Sequence, residues 1–190
     1  MSDSRSSADF FAAYFAELSH RLRDASNDAL DAVCDALIGA RARGRKVILT
    51  GNGASAAIAS HVAVDLTKSA GVRAVTFNDA DLITCFGNDY GYENWIAEAI
   101  GFYGDRGDVA VFISSSGRSP NVINGALRAR AAGIHLVTLS GFDPDNPLRC
   151  LGDVNLWVES QSYNVVETTH QSWLLAAIDR ISSLRERSSS

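Results

Sequence analysis

The feature that most constrains this chain is a repeated switch in hydrophobic period. Five short, continuously apolar runs are separated by longer stretches in which apolar residues recur at helical spacing. The runs are KVILT (Lys46 to Thr50), RAVTF (Arg73 to Phe77), VAVFIS (Val109 to Ser114), IHLVTLS (Ile134 to Ser140) and VNLWV (Val154 to Val158). A strand with one wet face alternates apolar and polar residues, whereas a strand covered on both faces is apolar throughout. Between the runs, helices are expected over Ser55 to Ser69, Glu93 to Tyr103 and Pro120 to Ala132, the last stopping at Gly133. The stretch rich in Asp and Asn after the second run reads as a loop. Such alternation predicts a parallel sheet with helices on both faces. The expected fold is α/β, a three-layer, doubly wound sandwich around a five-stranded parallel sheet, with extra helices at the N- and C-terminal ends.

Those extra helices are expected over Ala8 to Leu22, Asn27 to Arg43 with Gly44 as its stop, and Val165 to Arg185. The chain reads as one domain over residues 1–190, with N-terminal helices over 8–43, an α/β core over 44–160 and a C-terminal helix over 165–186. Residues 1–7 and 188–190 are polar fringes expected to fray. In the first helix Phe10, Phe11, Tyr14, Phe15, Leu18 and Leu22 form one stripe. Such a stripe serves either core packing or a subunit interface.

Composition narrows the function classes. With 190 residues, 46% hydrophobic and 21% charged, the chain has a globular balance and excludes a disordered or fibrous protein. A net charge of −5 argues against nucleic acid or an anionic membrane as partner, since both demand a basic surface. A small anion is not excluded, because a few backbone N–H groups can hold one phosphate on an acidic protein. No apolar run reaches membrane-spanning length. The three cysteines form no CxxC pair, and MSDSRSSADFF lacks the basic and apolar regions of a signal peptide. A cytoplasmic location is expected.

Two loops carry chemistry. Gly51-Asn52-Gly53-Ala54-Ser55-Ala56 ends the first run and opens a helix. It satisfies the GxGxxG/A pattern, in which glycines admit a ligand close to the backbone and a helix N-terminus supplies donors. The residues alone leave three readings open: a dinucleotide site, another ligand at the strand end, or a tight structural turn. A nucleophile elbow around Ser55 is weakened by Ala57, which stands where its last glycine belongs. The second loop, Ser114-Ser115-Ser116-Gly117-Arg118-Ser119-Pro120-Asn121, also leaves a strand and opens a helix, with Ser119 as N-cap and Pro120 as first helical residue. Hydroxyls and free N–H groups then converge where the helix dipole favours an anion. No GK[ST] follows, so a phosphate monoester fits better than a nucleotide, and no nucleotide cofactor is expected.

The two loops together resemble the SIS (sugar isomerase) domain family. GNGASAA, NDYGYE (Asn88 to Glu93), the Gly107-Asp108 pair, ISSSGRSPNVI (Ile113 to Ile123) and VTLSG (Val137 to Gly141) look like its sedoheptulose-7-phosphate isomerase branch. The resemblance implies an SIS fold, a homotetramer with active sites at subunit interfaces, and aldose–ketose isomerisation of a phosphosugar such as sedoheptulose 7-phosphate. It implies that Ser114, Ser115, Ser116 and Ser119 hold the phosphate, and that Asn52, Gly53, Ala54, Ser55, Asn88 and Asp89 contact the sugar.

Such an isomerase needs a base to take a proton from carbon beside a carbonyl, and an acid to return one. Of four histidines, His20 reads as solvated and His135 as a core or edge residue of a strand. His61 and Asp65 share one helix face at i and i+4, and Glu167 and His170 share another at i and i+3. His61 and Asp65 match the family's HxxxE pair with Asp in place of Glu. Glu167 stands where the family has Gln, His170 matches its first C-terminal His, and Leu175 replaces its second. Five helical residues turn a side chain by about 140°, so His170 cannot take over the place of residue 175. Two readings follow for His61, Asp65, Glu167 and His170. One is a rebuilt site, in which Glu167 or Asp65 is the base and a histidine the acid, or all four bind a divalent metal such as zinc. The other is a degraded site on a non-catalytic phosphosugar-binding protein with a regulatory or assembly role.

Overall fold

In the computed structural model, which describes residues 6–189, five parallel strands form one sheet in the order β2-β1-β3-β4-β5. The strands are β1 (Val47–Gly51), β2 (Ala74–Thr76), β3 (Val109–Ser114), β4 (His135–Gly141) and β5 (Val154–Val158). Register is continuous across the centre, where Leu49 lies beside Val111 and Val111 beside Val137. The expected doubly wound sandwich is the fold observed.

Strand alternation divides the apolar runs between two cores. Val47, Leu49, Val109, Val111 and Ile113 face a core closed by α2 (Asn27–Ala42), α3 (Ala54–Lys68) and α7 (Tyr163–Ser189). Ile48, Ala110 and Phe112 face the opposite core, closed by α5 (Trp95–Tyr103) and α6 (Pro120–Ala131). Both faces of β1 and β3 are therefore buried, which is why those strands carry no polar alternation. Strand β2, at one edge, is short and partly exposed.

Three expectations change. The Asp- and Asn-rich stretch is helix α4 (Ala80–Tyr90), whose Leu82, Ile83 and Phe86 pack against the second core. Its polar ends hid a short amphipathic face. Helix α7 continues to Ser189, beyond the expected stop, and Ser6 caps α1 (Ser7–Arg21) by accepting from the Asp9 N–H at 3.2 Å. Residues 6, 7, 188 and 189, expected to fray, are thus ordered parts of α1, its cap included, and α7, and residues 1–5 and 190 lie outside those described. Finally, no residue of α1 is buried. Phe10, Phe11 and Phe15 are 46%, 54% and 61% exposed, so the aromatic stripe does not pack into this chain's own core. Among the described residues no helix is long and apolar enough to cross a membrane.

The Gly107-Asp108 pair belongs to the scaffold. Asp108 is buried at the start of β3, where its carboxylate accepts from the backbone N–H groups of Lys46 and Asp105 and meets Lys46 Nζ at 2.6 Å. It ties β1 to β3 at the end of the sheet opposite the two loops.

Candidate active site

Strand order reverses direction between β1 and β3, and in open parallel sheets the crevice beyond the carboxyl ends at such a point accepts ligands. The GNG loop leaves β1 and the serine loop leaves β3 at that crevice. Gly53 and Gly117 both hold positive φ, +54° and +63°, the region that favours glycine. Behind Gly117 lies the fully buried Asn146, which donates to Ser140 Oγ at 3.0 Å and to the Asp143 carbonyl at 2.8 Å. Asn146 also accepts from the Arg149 N–H, and the Leu148 N–H bonds the Gly117 carbonyl at 3.1 Å. The loop is braced from beneath.

The result is a small cavity of about 130 Å³ lined by Asn52, Ser55, Ser114, Ser115, Ser116, Ser119, Tyr163 and Glu167. All four serines expected to hold phosphate meet there. Ser119 occupies the N-cap position of α6 without making a cap hydrogen bond. Its hydroxyl instead accepts from Ser114 Oγ at 3.3 Å, which turns it into the cavity with the amides of the α6 N-terminus. The one cation of the loop, Arg118, is paired with Asp143 at 3.0 Å. The cradle's donors are neutral.

A second, wider trough of about 560 Å³ is lined by Tyr14, Ala54, Ala57, Ile58, His61, Asn164, Glu167, Thr168 and Gln171. Glu167 borders both spaces, and Ser115 Oγ donates to its Oε1 at 3.4 Å. On the trough wall His61 Nε2 meets Asp65 Oδ2 at 3.2 Å, and Gln171 Nε2 donates to His61 Nδ1 at 2.9 Å. The imidazole is held from both nitrogens, by its own helix and by α7.

Other expected residues fall elsewhere. Asn88 and Asp89 sit on the exposed end of α4, where Asn88 donates to its neighbour Asp89, and neither lines the cradle or the trough. Gly53 is exposed at the rim, and Ala54 lines the trough. His170 departs furthest from expectation. It is fully buried, and its Nε2–H donates to the Ser140 carbonyl at 3.0 Å. Its Nδ1 is also buried, with no hydrogen-bond partner. Burial disfavours the charged ring and pushes its pKa from 6.5 down to about 4, against a smaller upward pull from the Ser140 bond. A neutral ring inside the core is neither a proton donor at the trough nor a ligand, so His170 leaves the catalytic and metal sets. Zinc does not fit the residues that remain. Among the described residues no three His, Cys, Asp or Glu side chains gather as a metal site.

Sequence reasoning missed Asn121, Asn146, Tyr163 and Gln171. Gln171 lies one helical turn after Glu167, so helix spacing from an assigned residue was signal enough. Asn121 is the last residue of the serine-loop motif, named there without a role. Asn146 carries no local signal, because its role exists only once β4 and the following loop fold over Gly117.

A family profile for the SIS domain matches residues 10–141. A phosphoheptose isomerase of Burkholderia pseudomallei (strain 1710b) is 36% identical over 144 residues, covering 73% of each chain. One from Sulfurimonas denitrificans is 36% identical over 132 residues, covering 66% of this chain and 67% of its own. In three dimensions the chain is similar to phosphoheptose isomerase GmhA from Neisseria gonorrhoeae, with a TM-score of 0.85 at 29% identity. That match covers 94% of this chain and all of the other.

Proposed function

From the premise that this chain belongs to the SIS domain family, we propose that it is an aldose–ketose isomerase of a phosphosugar, with sedoheptulose 7-phosphate as substrate. The observation that carries this reading is Glu167, which borders both the serine cradle and the trough containing His61. The phosphate occupies the cradle. The reacting carbons of a heptose 7-phosphate lie at the other end of the sugar, and therefore in the trough.

There Glu167 is the base that takes the proton from the carbon beside the carbonyl, and His61 is the acid that protonates the carbonyl oxygen. The resulting enediol collapses when Glu167 returns its proton to the neighbouring carbon and the other hydroxyl gives its proton to His61. No net proton or electron is consumed. Gln171 holds the ring at Nδ1, and the Nε2–H that faces Asp65 in the free protein is the proton that passes to the substrate oxygen and is later returned. Asn88 and Asp89 do not line the cradle or the trough of their own chain, and a neighbouring subunit is the place where they would meet sugar.

The assembly we propose is a homotetramer, supported by the unburied aromatic stripe of α1 and by Tyr14, which brings that same helix to the trough. A cytoplasmic setting suits a substrate of this kind. The test is turnover of sedoheptulose 7-phosphate by the purified chain, followed by product analysis. Glu167→Gln, which keeps the shape and removes the base, is expected to lower kcat by ~10²–10⁴-fold. Tight binding without turnover by the unsubstituted protein would overturn the enzymatic reading.

A further inference from the structure

Asn52 and Asn121 exchange amide hydrogen bonds across the crevice. Asn52 Nδ2 donates to Asn121 Oδ1 at 2.9 Å, and Asn121 Nδ2 donates to Asn52 Oδ1 at 2.8 Å. The pair joins the loop after β1 to the first turn of α6, and so ties together the two loops that frame the cradle. Asn121 is 2% exposed and does not line the cavity, whereas Asn52 does. A third group completes the set, because Tyr92 Oη donates to Asn52 Oδ1 at 3.3 Å.

Donor and acceptor arithmetic then decides what Asn52 can offer a ligand. A side-chain amide has two N–H donors and an oxygen with two lone pairs. Asn121 and Tyr92 take both lone pairs of Asn52, and Asn121 takes one of its N–H donors. One N–H is left. We infer that Asn121 and Tyr92 are positioning residues that fix Asn52 as a hydrogen-bond donor aimed into the cradle, where it selects an acceptor oxygen of the phosphorylated ligand. Asn121 also accounts for what the serine loop alone leaves open, namely how two loops from different strands keep a common geometry. The inference rests on the phosphosugar reading of the cradle, and it adds two residues that act on the ligand through Asn52.

Binding cycles test it. Dissociation constants for inorganic phosphate and for sedoheptulose 7-phosphate are measured by calorimetry on the unsubstituted protein, Asn52→Ala, Tyr92→Phe, Asn121→Ala and the two double variants with Asn52→Ala. Asn121→Ala is expected to weaken binding ~10-fold and Tyr92→Phe ~3-fold, with neither adding to the loss once Asn52 is Ala. In turnover, Asn121→Ala and Tyr92→Phe are expected to act mainly on KM, whereas a purely structural defect lowers the active fraction and leaves KM in place. Asn121 is buried, so Asn121→Ala carries some risk of misfolding. Tyr92 is 57% exposed, and its cycle with Asn52 decides the matter alone if that variant does not fold. Losses that persist in full in the Asn52→Ala background overturn the inference. Binding without turnover removes the isomerase reading and leaves this cycle intact, whereas no binding of either ligand by the unsubstituted protein overturns both.

Discussion

Gly117→Ala tests the brace beneath the serine loop. The loop turns on this residue at φ +63°, and an L side chain in the left-handed region costs about 1–2 kcal/mol. The larger consequence is steric. A Cβ at position 117 would overlap Asn146 Oδ1 and Cγ and lie 2.9 Å from its Cβ. Asn146 is fully buried and cannot withdraw without releasing Ser140 Oγ, the Asp143 carbonyl and the Arg149 N–H. Leaving a buried polar group unpaired costs about 1–3 kcal/mol. Together these give a loss of about 2–5 kcal/mol, a large fraction of the ~5–15 kcal/mol by which such domains are stable. Urea unfolding followed by tryptophan fluorescence should show a lower midpoint with an unchanged slope. Combining Gly117→Ala with Asn146→Ala removes the overlap, so the double variant should lose less than the sum of the singles. A single-variant loss below about 1 kcal/mol, or strict additivity, would refute the bracing argument.

The remaining predictions concern the core histidine, the cradle and the assembly. His170 has a folded pKa near 4 against 6.5 when unfolded, so the unfolded chain takes up its proton first as the pH falls. Its contribution is fully present above about pH 6.5 and is lost progressively down to about pH 4, some 3 kcal/mol in all. His170→Gln should flatten the urea midpoint across that window, and an identical pH slope in the variant would contradict the assignment. Ser115→Ala and Ser116→Ala should each weaken inorganic phosphate binding by ~10–100-fold, since each removes a donor to a charged group; losses within twofold would place the phosphate elsewhere. Phe11→Glu with Phe15→Glu should lower the mass measured by light scattering while leaving the circular dichroism unchanged, and an unaltered mass would remove α1 from the interface.

How much of this was legible before folding depended on whether a residue's role was local. Val109 to Ser114 was bounded correctly because a strand buried on both faces declares itself by an unbroken apolar run, whereas Val154 to Val158, half-exposed with Asn155 at the surface, was bounded by its β-branched and aromatic residues alone. Helix α4 was not seen, because Asp79, Asp81, Asn88 and Asp89 mask a face of three apolar residues that packs on a core formed by distant segments. The serine loop was legible as a cluster of hydroxyls at a strand end because its residues are consecutive, and its four serines do line one cavity. His170 was not: helix spacing put it on the same face as Glu167, yet the long α7 turns just enough between them to send Glu167 to the crevice and His170 under Ser140. A pair at i and i+3 shares a face only coarsely, and when that face straddles the boundary between core and cavity its two members part.

The charge of the chain and the chemistry of its site also fit one another. A net charge of −5 disfavours a dianion at long range, and the single cation in the serine loop is spent on Asp143. If the cradle takes the phosphate as proposed, attraction comes from groups that act only at contact: hydroxyls, the uncapped start of α6, and the N–H of Asn52 that Asn121 leaves free. Neutral donors discriminate by position and not by charge, because each needs an acceptor at hydrogen-bond distance and in line. That explains why so much of the fold serves to hold them still. Asn146 fills the space behind Gly117, His170 ties α7 to β4, and Asn121 locks the two loops together. A site that relied on lysines could tolerate looseness, since a point charge acts over several ångströms. One made of hydroxyls and amides cannot, and the buried polar side chains around this crevice are the structural consequence.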